Sequence, residues 1–575
     1  MENFKNFFSI KNIKKISILF GLIGAAITIT TITILKVNKK YKPAFYNYKS
    51  YINESLIDKF NEKFEYKTFN EVSEFTAALN NFKVAAGIGS DFQAITLIKK
   101  GLIQPINFSK LLKLQIKNDE ELKNILKKIY TPDVFKHLES YDDQLLEDAY
   151  GNKFEKPKHL WKYFVPYYAQ DGIIAYNPLK NNNNILNKDD FTKNNIYDNS
   201  ISNVLDTISK NNYKDLVITD AVRVNMLYGS TEQKNDSKIN ENNYKQSIND
   251  FINTIENSTN TSISSGNYIS FNSDGQGIIA SLLDKKRIDV NAAIMYNGDA
   301  LDAYYSEGNG FTIYDNEQKK EIEIPNGTIQ TIKFKNNILL VDGLVVAKGI
   351  NSSLEDDLYS TLNSTIYNDM AAAYNNTTIE HYQLKMYDEY LNNLYRDKII
   401  TDYNNKNLRG VLKFDEFKSE LRDIYLKGLK QEFNNDILKS FNEYVMNKFN
   451  NDETLKDSLF ETLDSSISDE EKIDQISFKL SHIDFLNEKY YEFLEDKYPN
   501  YVNFDFINYT PTNIAEYELI KRNYFVNDDN TFDYKALEIY QISDQDGSIV
   551  HNSINGVDDK LDSLLTTYYY SKIKH

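Results

Sequence analysis

Residues Ile338 to Gly349 read Ile-Leu-Leu-Val-Asp-Gly-Leu-Val-Val-Ala-Lys-Gly, two apolar runs around a single carboxylate, Asp342. Runs of this kind bury on both faces, so the chain must build a sheet covered on each side. The stretch admits two readings. Asp342-Gly343 between apolar runs is the signature of a two-residue hairpin with a type I′ turn. Alternatively Asp342 lies at the end of an inside strand, where a charge is costly without a partner. Taken alone these residues favour the hairpin, and both readings stay open here.

From residue 41 to about 370, strand-like and helix-like segments alternate. Ser55 to Phe64 and Glu71 to Leu79 have helical period, with a strand-like Tyr66 to Phe69 between them. Lys83 to Ala86 reads as a short buried strand ending in a Gly87-Ile88-Gly89-Ser90 turn, and Ile95 to Lys100 returns to helix. Phe164 to Tyr167, Gly172 to Tyr176, Leu216 to Thr219 and Val290 to Met295 are further strands, and Tyr244 to Ile255 is a helix. This alternation predicts α/β lobes with largely parallel sheets. From Tyr382 to Tyr498 nearly every apolar residue falls at helical spacing, as in Leu384, Tyr387, Leu391 and Leu394, which predicts an all-α insertion over 371–499. A mixed pattern resumes after Pro499 and ends in a Tyr-rich helix, Leu561 to Ile573.

Ile16 to Leu35 contains no charged residue. About 20 residues at 1.5 Å each span roughly 30 Å, the thickness of a bilayer core. Lysines flank both ends, so charge does not set the topology. The run is too long for a signal-peptide core, and an uncleaved anchor with the bulk of the chain outside the cell is the expectation. Cys is 0, which excludes disulfides, thiolate metal sites, Cys nucleophiles and the thiol of a lipoprotein anchor. A net charge of −17 argues against a nucleic-acid partner. No His-Glu-x-x-His, Gly-x-Ser-x-Gly or phosphate loop is present, so neither an enzyme nor a metal or cofactor is expected. The stretch Asp528 to Glu538 imitates a calcium loop without its central Gly and reads as a turn.

Aromatic residues recur beside polar ones at loop-like positions: Tyr46 to Tyr51, Tyr296-Asn297-Gly298-Asp299, and Asn508-Tyr509-Thr510-Pro511-Thr512, a rigid turn. With Asp342 they supply ring faces and a carboxylate, the parts of an ammonium-binding cage. These segments carry a resemblance. Tyr46 to Ile52, Phe82 to Ile103, Val165-Pro166-Tyr167 with Gly172 to Asn177, Tyr213 to Asp220, Ser270 to Asp274, Ala293 to Ala300, Val341 to Val346 and Asn508 to Pro511 follow in the order found in the spermidine/putrescine-binding proteins of bacterial polyamine ABC importers. The chain resembles that family outside the anchor and the helical insertion.

The resemblance implies a two-lobed periplasmic-binding-protein-like clamshell of type II, closing on its ligand. Lobe 1 would be 41–167, completed by 338–370 and 500–511; lobe 2 would be 168–337, completed by 512–575; residues 1–40 would be tail and transmembrane anchor. Tyr48, Tyr51, Phe92, Tyr296 and Tyr509 would wall the cleft, Ser90 would make a polar contact, and Asp342 would bind an ammonium. The family's acidic pair falls on Ala221 and Val224, leaving Asp220 and Asp299 as secondary candidates. The function implied is the membrane-anchored, extracellular substrate-binding subunit of an importer, taking a polyamine or related cation to a permease driven by an ATPase. The alternative is a surface interaction protein on the same scaffold that has lost its ligand.

Overall fold

The structure, a computed structural model, describes residues 42–69, 72–81, 83–233, 238–265, 268–306, 310–315, 319–375, 499–525, 533–542 and 549–574. The expected anchor (16–35), nearly all of the expected helical insertion and the start of the Asp528 turn lie outside the described residues. Among the described residues no helix is long and apolar enough to cross a membrane.

Two mixed sheets dominate. Strands are numbered in chain order. The first sheet holds β1 (Ala44–Tyr48), β2 (Glu65–Phe69), β3 (Val84–Ser90), β4 (Ile103–Gln104), β5 (Val165–Gln170), β16 (Leu340–Ala347) and β17 (Thr510–Pro511), in the order β17-β5-β16-β3-β1-β2 with β4 beside β16. The second holds β6 (Gly172–Tyr176), β9 (Leu216–Thr219), β10 (Ile269–Asn272), β11 (Ala292–Tyr296) and β14 (Gln330–Lys333), in the order β10-β9-β11-β6-β14. Short pairs complete the set: β7 (Thr192–Lys193) with β8 (Ile196–Tyr197), β12 (Thr312–Asp315) with β13 (Lys320–Glu323), and β15 (Asn336–Ile338) with β18 (Val550–Asn552).

The sheets are less parallel than the alternation predicts. β1 pairs parallel with β2 and β3, and β9 with β10 and β11. The strands that carry the chain between the two sheets run the other way: β5 and β16 in the first sheet, β6 and β14 in the second, all pair antiparallel. A strand that leaves one lobe for the other does not return through a helical crossover, so nothing forces it into the parallel direction. The chain passes from the first sheet to the second at Asp171, between β5 and β6, and returns along β15, between β14 and β16. Asp171 is fully buried there, paired with Lys333 at 2.8 Å and facing His551 at 3.4 Å.

Two corrections concern glycines. Leu340 to Ala347 is one strand with every residue buried, paired with β3 on one side and β5 on the other, so Asp342-Gly343 is not a hairpin. Gly343 is small because a Cβ there would come 2.4 Å from the Val165 carbonyl and 2.6 Å from the Phe164 ring. Gly87 and Gly89 likewise belong to β3 and not to a turn. A Cβ on Gly87 would meet the Tyr46 carbonyl at 2.6 Å and the Phe75 ring at 2.7 Å, so the residue is set by close packing. The turn before Thr510 is as expected at its tip, where Asn508 takes φ 63°, but Thr510 and Pro511 already pair with β5.

Candidate functional site

The site grows from the register of β16. Asp342 stands opposite Ser90 on β3 and Tyr168 on β5, with a bulge between Asp342 and Gly343 on the β5 side. Asp342 is 3 % exposed. Ser90 Oγ donates to Oδ1 at 3.0 Å, Tyr51 Oη to Oδ2 at 3.0 Å, and Gln170 Nε2 to Oδ2 at 2.6 Å. Tyr48 Oη stands 2.7 Å from Ser90 Oγ, extending the chain of hydroxyls. All of these partners are neutral. Burial, and then the nearby Asp91, push Asp342 up to about 7, while the donors from Tyr51 and Ser90 pull against that rise. Asp91 is itself committed elsewhere, 2.5 Å from His137 Nε2.

Neutral donors satisfy a carboxylate's lone pairs without supplying charge, so burying the anion still lacks electrostatic compensation. The rings around it pack edge to face on one another. Tyr51 meets Tyr48 at 5.6 Å, Tyr167 at 5.6 Å and Tyr509 at 5.6 Å between centroids, each at an edge-to-face angle. The phenols of Tyr48, Tyr51 and Tyr509 are raised well above their ordinary value by burial first, so they stay neutral donors.

In the second sheet, Tyr296 ends β11 and caps the helix Asn297–Tyr304. Its phenol is raised by burial and then by Asp342 and Asp299, which places it within the field of both carboxylates. Tyr509 Oη donates to Asp299 Oδ1 at 2.8 Å, joining the turn before β17 of the first sheet to the helix after β11 of the second. Its ring packs on the start of the Asn297–Tyr304 helix so closely that a Cβ on Gly298 would lie 1.9 Å from it. Burial pushes Asp299 up to about 7, with the Tyr509 bond opposing and Asp302 and Asp274 adding to the rise. Tyr48, Tyr296, Asp299 and Tyr509 are each partly exposed, so the rim of the cluster reaches solvent.

Tyr48, Tyr51, Ser90, Tyr296, Asp299, Asp342 and Tyr509 therefore gather in one place, drawn from both sheets. Two candidates have their side chains engaged by other residues. Phe92 packs on the second lobe's core, with the Arg223 guanidinium 5.8 Å from its ring centre. Asp220 follows β9, but its carboxylate turns to Tyr569 and to Lys574, whose Nζ is 4.0 Å away. Between them, Ala221 and Val224 bring no charge.

Sequence reasoning missed Gln170 and Asn503. Gln170 is the last residue of β5, just before the lobe change, where period-two alternation points it to the same face as Tyr168. Asn503 Nδ2 donates to the hydroxyls of Tyr167 and Tyr168, fixing the rings behind Tyr51. No local motif marks it, because its partners lie more than 300 residues earlier. Among the described residues no group of three or more His, Cys, Asp or Glu could hold a metal ion.

A family model described as "Hypothetical lipoprotein (MG045 family)" matches residues 11–549. No curated protein matches the chain. Similar solved structures include a putative spermidine/putrescine ABC transporter from Listeria monocytogenes, 15% identical, covering 58% of this chain and 80% of that one with a TM-score of 0.37. The spermidine/putrescine substrate-binding protein PotD of Streptococcus pneumoniae is 14% identical over 60% of this chain and 82% of its own, TM-score 0.35. The Tp0655 (TpPotD) lipoprotein of Treponema pallidum is 15% identical over 59% and 84%, TM-score 0.35.

Proposed function

The chain belongs to the hypothetical lipoprotein (MG045) family, and from that premise we propose that it is a substrate-binding subunit of an ABC importer that captures a polyamine-like cation of the spermidine/putrescine class. The observation that carries the reading is Asp342, a buried carboxylate held by three neutral donors, with phenol rings around it. An ammonium supplies the missing positive charge, and aromatic faces add attraction of about 1 kcal/mol or more in a desolvated site. The protein binds and does no chemistry. Residues 16–35 anchor it in the membrane with the bulk of the chain outside the cell. Ligand contacts from both lobes favour a closed state, which docks on a permease coupled to a cytoplasmic ATPase.

A thermal-shift series with putrescine, spermidine and simple monoamines tests this. A concentration-dependent rise in Tm with at least one amine is the expected result. Silence across the panel favours a second reading, a surface interaction protein on a binding scaffold that has lost its ligand. One observation speaks for that reading: Ala221 and Val224 bring no charge to the second lobe, and Asp220 is engaged with Lys574.

A further inference from the structure

Arg223 sits in the first turn of the helix Val222–Glu232, directly after β9 on the second lobe. It is 9 % exposed, and its guanidinium faces the ring of Phe92, which belongs to the first lobe. Among the described residues it forms no ion pair. Its hydrogen bonds run from Nη2 to Asn555, to the carbonyl oxygen at 2.7 Å and to Oδ1 at 3.4 Å, while Nε is buried without a partner. Burial lowers it to about 10, with Asp562 and Tyr141 opposing, so the group stays charged at neutral pH.

The placement is rigid. Asn555 is fixed to the second lobe by a two-way exchange with the backbone of Ile239, at 2.9 and 3.0 Å. The residues around it are fixed to the first lobe: Tyr141 Oη donates to the Ile554 carbonyl at 3.0 Å, Gly556 N–H to Gln144 Oε1 at 3.0 Å, and Thr96 Oγ1 to the Val557 carbonyl at 3.1 Å. Arg223 is thereby held against Phe92, two residues along the chain from Ser90 at the edge of the Asp342 site.

We propose that Arg223 is a specificity-determining residue: a resident cation at the Phe92 end of the interlobe junction that excludes ligands whose positive charge extends there. This rests on the reading of Asp342 as an ammonium site. An aromatic face that already carries a guanidinium offers nothing to a second cation, and like charges at this depth repel with little screening. The accepted ligand is a compact organic cation, with its charge confined to the stretch between Asp342 and Asp299. A polyamine of spermine length places an ammonium beyond that stretch and meets Arg223.

Calorimetry with 1,3-diaminopropane and spermine on the full chain tests the assignment, comparing wild type with Arg223→Gln, which keeps a donor for Asn555, and with Arg223→Lys, which keeps the charge. Wild type binds the short diamine in preference to spermine. Arg223→Gln raises spermine affinity at least tenfold and leaves the diamine within twofold, whereas Arg223→Lys retains the exclusion. An unchanged spermine-to-diamine ratio in Arg223→Gln, with binding intact, overturns the role of Arg223 alone. Absence of heat with both amines for wild type and both variants overturns the ammonium site and this inference together. Arg223→Lys serves as the second arm should the Gln variant fold poorly: spermine binding by the Lys variant as strong as that of the diamine also overturns the proposal.

Discussion

The phenol of Tyr51 donates to Asp342 across 3.0 Å, although 291 positions separate them in the chain. The same hydroxyl accepts from Gln170 at 3.0 Å, so it ties the strand end of β5 to the carboxylate on β16. Tyr51→Phe removes this link and leaves Ser90 and Gln170 in contact with Asp342. One such bond is worth about 1 kcal/mol. Amine affinity at pH 7.5 is expected to fall roughly fivefold by that measure, with Tm changed by only a few degrees. Unchanged affinity by calorimetry would count against Tyr51 as part of the site.

Asp342 is raised to about 7, so in the ligand-free protein its contribution to stability runs opposite to that of a paired carboxylate. The folded state binds the proton more tightly than the unfolded chain, whose Asp titrates near 3.9. Stability linked to this group is fully present below that unfolded value and is lost as pH rises through about 7. Asp342→Asn is therefore expected to be more stable than wild type at pH 8, by about 1–3 kcal/mol, with the gap narrower at pH 5 and closed only near the unfolded Asp value of about 3.9. Denaturant melts at both values check it; a wild type more stable than the variant at pH 8 would indicate a cation of the protein's own beside Asp342.

Binding of a cation favours the charged carboxylates, so it expels protons from Asp342 and Asp299, both at about 7. Amine affinity should rise between pH 5.5 and 8, and the binding enthalpy at pH 7 should vary with the ionisation enthalpy of the buffer. Affinity that is flat over this range would show that neither carboxylate meets the ligand.

Gly298 has no room for a side chain, since a Cβ would stand 1.9 Å from the Tyr509 ring. Gly298→Ala must displace Tyr509 and break its bond to Asp299. The expected cost is about 1–3 kcal/mol of stability, the usual range for overpacking, together with weaker amine binding. Full retention of both would mean that Tyr509 is not needed where the structure puts it.

Much of the architecture was legible because burial and local period agree. Leu216 to Thr219 is the observed β9 to the residue, and Gly172 to Tyr176 is β6, because each is a short apolar run ended by polar residues. Taken alone, Asp342-Gly343 favours a turn because an Asp-Gly pair carries the same letters whether glycine is chosen for positive φ or for close approach. Here the cause is Val165 and Phe164, more than 170 residues away, which local reading cannot see. Antiparallel pairing at β5, β6, β14 and β16 was hidden for a related reason: strand direction depends on where the chain returns from, not on its residues. Most of the tyrosines around Asp342 were found through the resemblance, while Gln170, Asn503 and Arg223 needed three-dimensional contacts to acquire any meaning.

The most direct test of the central claim is isothermal calorimetry of 1,3-diaminopropane, putrescine and spermidine against wild type and Asp342→Ala at pH 7.5. The account predicts saturable one-to-one heat with at least one amine for wild type and none for the variant, with both proteins folded by circular dichroism. Equal affinity in the two proteins, or no heat from any amine with wild type, would contradict it.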